Sequence, residues 1–350
     1  MKKFLLLALA LWTVGTARAQ APVQPDGVRG WFQPGQSYLR IPVAEDGLYR
    51  LDRTALTAAG VPAGIESTWR LFHRGAEQAI RVADDGSHFE FWGQRNDGTL
   101  DAFLYEAPTD QPHPYGNLFS DTAAYYLTWG GAAGKRMQNL LLTPAIPPEA
   151  AHGARRRVLF EDEYALGKGQ RVSNNNFHRS DFEEGEGWTG PRLVSNSNTN
   201  VTDRWVGPVA DPVGGGGATL RLAVQVMGRN FNEDQEVQLF AGPSAADLSA
   251  LGTLQFSTYE VVTDTFTVPF ARVNAQDSLL VRVQVLEGTN ASLSYLDATY
   301  QRRNTWRGER WQRLTLPARA GGLARVVLSN APAGLQVLDV TDPNNVRRLG

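Results

Sequence analysis

Residues 278–288 read SLLVRVQVLEG, and this stretch decides the fold class. Apolar and polar side chains alternate with a period of two, the spacing of a half-buried strand and not of a helix. The same texture recurs on both sides, in ATLRLAVQVMG (218–228), QEVQLFAG (235–242), GTLQFSTYEVV (252–262), DTFTVPF (264–270) and SLSYLDATYQR (292–302). Turn-forming residues separate these runs at roughly ten-residue intervals. That rhythm predicts an antiparallel β-sandwich of jelly-roll type over residues 193–305. Composition agrees: 35 Gly, 19 Pro and recurrent short runs of Val, Thr, Tyr and Trp favour a mainly β chain with few short helices.

Working back from the sandwich, residues 20–150 read as a smaller β-rich domain. SYLRIPV (37–43) and LYRLD (48–52) flank Asp46-Gly47, the signature of a hairpin turn. RTALTAAGV (53–61) is a short helix stopped at Gly60. WRLFHRG (69–75) and QAIRVAD (78–84) form a second strand pair, and HFEFWG (88–93) and AAYYLTWGG (123–131) add two more strands. In the last of these Tyr125, Leu127 and Trp129 share a face. Residues 151–192 read as a linker and long surface loop: TPAIPPEAAHGARRR (143–157) is Pro-rich and then basic, VLFEDEYAL (158–166) resumes order, and 167–190 has no hydrophobic period. Beyond the sandwich, WQRLTLPA, LARVVLSNAP and LQVLDVT read as three more short strands within 306–350.

The chain opens MKKFLLLALALWTVGTARAQ. A basic start, an apolar run too short to span a bilayer and an Ala17-Arg18-Ala19 cleavage site predict a signal peptide over residues 1–19 and a mature start at Gln20. Export follows as an expectation, to the periplasm or to the cell surface, with no transmembrane segment after cleavage. Losing Lys2, Lys3 and Arg18 takes the formal charge from −2 to −5, which argues against a nucleic-acid partner. The chain has no cysteine, so a thiol nucleophile, a Cys-ligated metal and a redox pair all lack their atom.

Two acidic stretches invite chemistry. NDGTLD (Asn96–Asp101) sets oxygen ligands around a glycine, as a calcium loop does, but without the full spacing or a distal Glu. DFEEGEGW (181–188) puts Asp181, Glu183, Glu184 and Glu186 beside Trp188, as in a glycosidase or sugar cleft. Asp and Asn beside Gly are ordinary turn formers, and acidic loops are ordinarily solvated. The histidines at 73, 88, 113, 152 and 178 fall in no zinc spacing, and no nucleophile elbow, P-loop or dinucleotide fingerprint occurs. No catalytic, cofactor or metal residue is assigned. A hydrolase using the 181–186 carboxylates stays open as a reading, as does a free-standing sandwich that grips a glycan or peptide.

Six stretches, in order, carry a family resemblance. RIPVAEDGLYRLDRTALTAAGV (40–61), FEFWGQRNDGTLDAFLY (89–105), HPYGNLFSDTAAYYLTWGG (113–131), EEGEGWTG (183–190), SYLDATYQR (294–302) and LDVTDPNNVRRL (338–349) resemble segments of gingipain-like (family C25) cysteine peptidases. Within that family the resemblance is closest to the type IX secretion-system sortases of Bacteroidetes-like bacteria. It implies a non-catalytic N-terminal portion acting as pro-domain, scaffold or substrate-positioning module. The implied partners are a peptidase domain, expected beyond the end of this chain, and type IX secretion components. The family's Cys nucleophile and His base find no counterpart here, so the chain is expected to be inactive alone.

Overall fold

The computed structural model describes residues 31–140, 145–319 and 322–349; the expected signal peptide and its cleavage site lie outside the described residues. The first strands are β1 (Tyr38–Val43), β2 (Gly47–Asp52), β3 (Arg70–His73), β4 (Ala76–Gln78), β5 (Ile80–Val82), β6 (His88–Gly93) and β7 (Ala123–Thr128), with helix α1 (Arg53–Ala58) after β2. They make two sheets, ordered β1-β7-β3-β4 and β2-β6-β5. Between the sheets lies a core of Ile41, Val43, Leu56, Trp69, Leu71, Ile80, Phe89, Phe91, Tyr125 and Leu127, with Trp129 packed against it.

The expected Asp46-Gly47 hairpin does not form. β1 pairs in unbroken register with β7, from Tyr38↔Thr128 to Val43↔Ala123, while β2 pairs with β6 in the opposite sheet. The turn is a crossover between sheets, tied by the Asp46 carboxylate accepting from the Arg95 backbone N–H at 3.0 Å. A tight turn specifies local geometry, and partner choice is settled by which faces bury together. Arg74-Gly75, both with positive φ, do close a hairpin between β3 and β4. The QAIRVAD run then splits, β4 staying in one sheet and β5 joining the other.

Next come β8 (Gln138–Leu140), β9 (Ala151–Leu159), β10 (Glu163–Leu166), β11 (Gln170–Val172), β12 (Asn175–Phe177) and β13 (Glu186–Thr189). This overturns the reading of 151–192 as linker and loop. β9 is a nine-residue strand paired with the last long strand of the sandwich, β10 pairs with β13, and β11 with β12. Three consecutive arginines mask the alternation of β9, a common dress for an edge strand.

The sandwich proper runs through β14 (Leu193–Val194), β15 (Val201–Val206), β16 (Thr219–Gly228), β17 (Gln235–Ser244), β18 (Asp247–Phe256), β19 (Val261–Pro269), β20 (Leu279–Val285) and β21 (Asn290–Arg303). One sheet is ordered β14-β21-β16-β19, with β9 beside β21; the other is β15-β20-β17-β18. Distributing eight consecutive strands in this way is the double Greek key of a jelly roll. Leu222, Val224 and Val226 of the first sheet meet Val237, Leu239, Val281 and Val283 of the second in one aliphatic core.

After β21 the chain does not build the first two expected strands. Within 311–318 and 323–332 only isolated bridges occur, Thr315 to Gly153, Arg325 to Pro148 and Ser329 to Thr305, laid along the edge near β9. The third is real: β22 (Val337–Asp339) turns back into β23 (Arg347–Leu349), and β23 lies parallel to β8. The chain thus returns at its end to the first β unit.

Candidate functional site: the joint between the two β units

The predicted acidic sites are separate structural ties. The Asp101 carboxylate accepts from Asn117 Nδ2 at 2.9 Å and from the Leu118 backbone N–H at 2.8 Å, and burial pushes its pKa up. Asp97 accepts from the Thr99 N–H and faces Arg74 at 3.6 Å. The lone pairs a calcium ion would need on Asp101 are spent on the loop 117–118. Among the described residues no group of three or more His, Asp or Glu side chains could hold a metal ion. In the second stretch Glu183 accepts from the Arg179 N–H, Glu184 pairs with Lys168 Nζ at 2.8 Å, and Glu186 accepts from the Tyr164 hydroxyl at 2.8 Å. These three carboxylates each have their own partner and Asp181 is exposed, so no two of them form an acid–base pair facing a common substrate.

The same two stretches instead converge on the loop His113–Gly116, which docks on the outer face of the β21-β16 sheet. Arg157 of β9 lies 3.3 Å from the centre of the Tyr115 ring and donates to Asp297 of β21 at 2.6 and 3.0 Å. Tyr295 meets Tyr115 edge-on at 5.1 Å. Gln225 of β16 donates to the Pro112 carbonyl while accepting from the Thr263 hydroxyl. The register of β16 against β21 slips between Gln225 and Val226, and such a bulge re-aims a side chain where it is needed. Because the loop covers that sheet, β21 is buried on both faces over Ala291–Ala298. This arrangement belongs to a strand inside a joint, not to the skin of a sandwich.

EEGEGWTG completes the joint from the side. The Gly185 N–H donates to Asp110 O at 2.9 Å, Tyr105 Oη donates to the Glu186 carbonyl, and Trp188 Nε1 donates to Leu118 O at 3.1 Å. Gly187 has φ +141°, and a Cβ there would meet Leu118, Pro112 and the Tyr105 hydroxyl, each at 3.2 Å. Only glycine fits that approach. The space left among Tyr105, Pro112, His113, Leu118 and Trp188 is about 10 Å³, no more than one water fills.

His113 lies inside this packing, 4% exposed, and burial holds its pKa down to about 4. Its Nδ1 accepts from the Gly116 N–H at 3.2 Å, so Nε2 carries the proton of the neutral ring. Glu161 lies 3.9 Å from Nε2, beyond hydrogen-bond reach, and burial raises its own pKa. Of the other histidines, His73 stacks on Tyr125 at 4.1 Å, again with a pKa lowered to about 4 by burial. His152 bridges Asn304 and Gln312, and His88 bonds Ser87. They lie apart, each in a local structural role.

A second joint is made by the returning hairpin. Gln78, 2% exposed, donates to Asn344 Oδ1 at 2.7 Å, and the Ala79 N–H donates to Asn344 O at 3.2 Å. A cleft of about 400 Å³ remains between this hairpin and the 135–138 segment. Its cations are already engaged, Arg136 by the carbonyls of Glu66, Ser67 and Trp69 and Arg347 by Asp339. Sequence reading missed both joints as contacts, although HPYG, EEGEGW, SYLDATYQR and LDVTDPNN stood out as motifs.

Comparison with solved structures agrees on the fold. The crystal structure of dimeric latent PorU from Porphyromonas gingivalis superposes with a TM-score of 0.62 over 90% of this chain, at 14% sequence identity. The fold is shared with PorU. The matched part is 29% of PorU, so this chain spans under a third of its length. Other overlaps are far weaker: the CBM22-1–GH10 modules of Clostridium thermocellum xylanase 10B give 0.26 over 43% of this chain and 26% of theirs, at 10% identity. The Bacillus thuringiensis toxin Cry8Ea1 gives 0.23 over 51% and 27%, also at 10% identity. No protein-family model and no curated protein sequence matches the chain.

Proposed function

We propose that this chain is the non-catalytic N-terminal region of an exported gingipain-like cysteine peptidase of the type IX secretion sortase kind, serving as a rigid scaffold for the peptidase. One observation carries the reading: three of the six family-like stretches are the pieces that clamp the two β units together, and a fourth docks the returning hairpin on the small unit. HPYG, EEGEGWTG and SYLDATYQR make the first joint and LDVTDPNNVRRL the second. A scaffold needs fixed relative geometry, and the first joint leaves only about 10 Å³ of space between its pieces. The likeness to PorU over nine-tenths of the chain supports the same reading. Thiolate chemistry would have to come from outside these 350 residues, which contain no cysteine.

Reading the genomic locus past codon 350 tests this. An in-frame caspase-like segment with Cys and His is the expected result, and an unrelated gene after a stop overturns it. Export is part of the proposal and has its own check. Mass spectrometry of the protein recovered from the envelope fraction should find a chain starting at Gln20; recovery of the uncleaved chain from the cytoplasm contradicts export.

A further inference from the structure

The two outer faces of the sandwich have different fates. The β14-β21-β16-β19 face is covered by the small unit, whereas the β15-β20-β17-β18 face carries Val201 and Trp205 in the open, 40% and 48% exposed. Strand register puts Trp205 opposite Leu280, Asp203 opposite Arg282, and Arg282 opposite Phe240 on its other side. Gln284 faces Gln238 one step further along the same face. The alternate residues, Val206, Val237, Leu239, Val281 and Val283, point into the core, which leaves Asp203, Trp205, Arg282, Gln238 and Gln284 on the outward face beside the buried Leu280.

We propose that this face binds an uncharged oligosaccharide, with Trp205 as the platform under a pyranose ring. An indole in a regular strand, held by its neighbours and nearly half exposed, offers a flat apolar surface at little entropic cost. Arg282 and Asp203 meet through two parallel bonds of 2.7 Å each, which fixes both groups and cancels their charge. A pair neutralised in this way favours no ionic ligand, yet keeps acceptor and donor edges for hydroxyl groups. Among the described residues the Gln238 and Gln284 side-chain amides have no protein hydrogen-bond partner, so each brings unused donors and an acceptor to the face. From Trp205 to the level of Gln284 the pleat runs roughly 13 Å, the length of a short chain of sugars and not of a single one. The pattern of one apolar plate followed by neutral amides and a self-compensated pair is complementary to a polyhydroxyl chain with C–H faces.

Affinity electrophoresis of the intact protein through gels containing mixed-linkage β-glucan, xylan, α-mannan or dextran tests the proposal. At least one polysaccharide should retard the protein, and Trp205→Ala should weaken the retardation by about tenfold or more. The Gln238→Ala/Gln284→Ala double variant should weaken it about fivefold, and Trp311→Ala, which removes an equally exposed indole elsewhere, should leave it unchanged. Circular dichroism melts confirm that each variant is folded. No retardation in any of the four gels overturns the proposal, as does retardation indifferent to Trp205→Ala. Retardation confined to polygalacturonate or heparin, or Trp205-dependent capture of peptides in place of glycans, also overturns it.

Discussion

The two cores of this protein are made of different material. Among the described residues the small unit buries four rings in a core of twelve side chains, while the sandwich has four in twenty-four. In the small unit the rings touch in a chain: Trp69 on Phe89 at 5.7 Å, Phe89 on Phe91 at 5.9 Å, Phe91 on Tyr125 at 5.1 Å and Tyr125 on His73 at 4.1 Å. The sandwich spreads its burial over Val, Leu and Ala along strands of up to fourteen residues. A few large pieces fill short, irregular sheets where many small pieces fill long, regular ones. The small unit should therefore be the more fragile to single deletions, and the more dependent on what docks against it.

The largest effect tests that fragility. Trp69→Ala removes a fully buried ring that also carries the Arg53 guanidinium at 4.9 Å, and should cost about 3–5 kcal/mol. Leu239→Ala, the matching deletion in the sandwich, should cost about 2–3 kcal/mol, since neighbouring aliphatic side chains relax into part of the space. Urea unfolding followed by hydrogen exchange separates the two units. A larger loss at Leu239 than at Trp69 would break the comparison.

Next in size is the joint. Arg157→Ala leaves Asp297, 6% exposed, with only the longer 3.4 Å contact to the exposed Arg155, and strips the cation from the Tyr115 ring. The expected cost is about 2–3 kcal/mol, with the two units unfolding in separate steps. A single, equally cooperative transition in the variant would show that the units are coupled elsewhere. Asp297→Asn should cost less than Arg157→Ala, because the amide keeps an acceptor for Arg157 and the charge left without its counter-ion is the more exposed of the two.

Why the joint was hard to see in the sequence is a matter of distance along the chain. Period-two alternation is local, so 218–302 revealed antiparallel strands of a sandwich, while the order of those strands in the two sheets came only from the structure. Asp46-Gly47 is also local, yet its flanking strands pair with β7 and β6, about 80 and 40 residues downstream, which no turn rule encodes. β9 was hidden because Arg155, Arg156 and Arg157 interrupt the alternation while serving the strand's edge and the joint. The candidate carboxylates were legible as a cluster but not as ties, because Glu184 and Glu186 find Lys168 and Tyr164 only in the fold. One clue was available: SYLDATYQ sets Tyr295 and Asp297 on the outward face of an otherwise apolar strand. A charge beside a ring there needs a partner.

A pH dependence probes the same joint more gently. His113 has a folded pKa of about 4 against 6.5 for the free side chain, so the unfolded chain takes up its proton first. Its share of stability is whole above pH 6.5 and is lost as pH falls from 6.5 toward 4. Arg95 and Arg157 face it and add to the loss, whereas Asp121 and the raised pKa of Glu161 oppose it. The net slope should amount to about 2 kcal/mol across that window. His113→Gln keeps an acceptor for the Gly116 N–H and should flatten the His113 share, leaving that of His73 in the small core. An unchanged pH profile would place the acid sensitivity outside the joint.

The smallest effect concerns the returning hairpin, where the comparison turns from cores to edges. β8 ends the small unit with three residues, two of them exposed, and gains order by parallel pairing with β23. Val346, 1% exposed, supplies the apolar contact, and the Asn344 side chain answers Gln78, which is buried and would otherwise lack an acceptor beyond the Ala76 carbonyl's reach to its amide. Asn344→Ala therefore removes one bond from a buried amide that keeps another, and should cost about 1 kcal/mol. Val346→Ala should cost somewhat more, about 1–2 kcal/mol, because its burial does not depend on a single bond. Both losses should register as faster amide exchange in 76–82 and 135–140 with the sandwich amides unmoved. If exchange in the sandwich also rises, the hairpin is a strut of the whole chain, and the small unit is not the more dependent of the two.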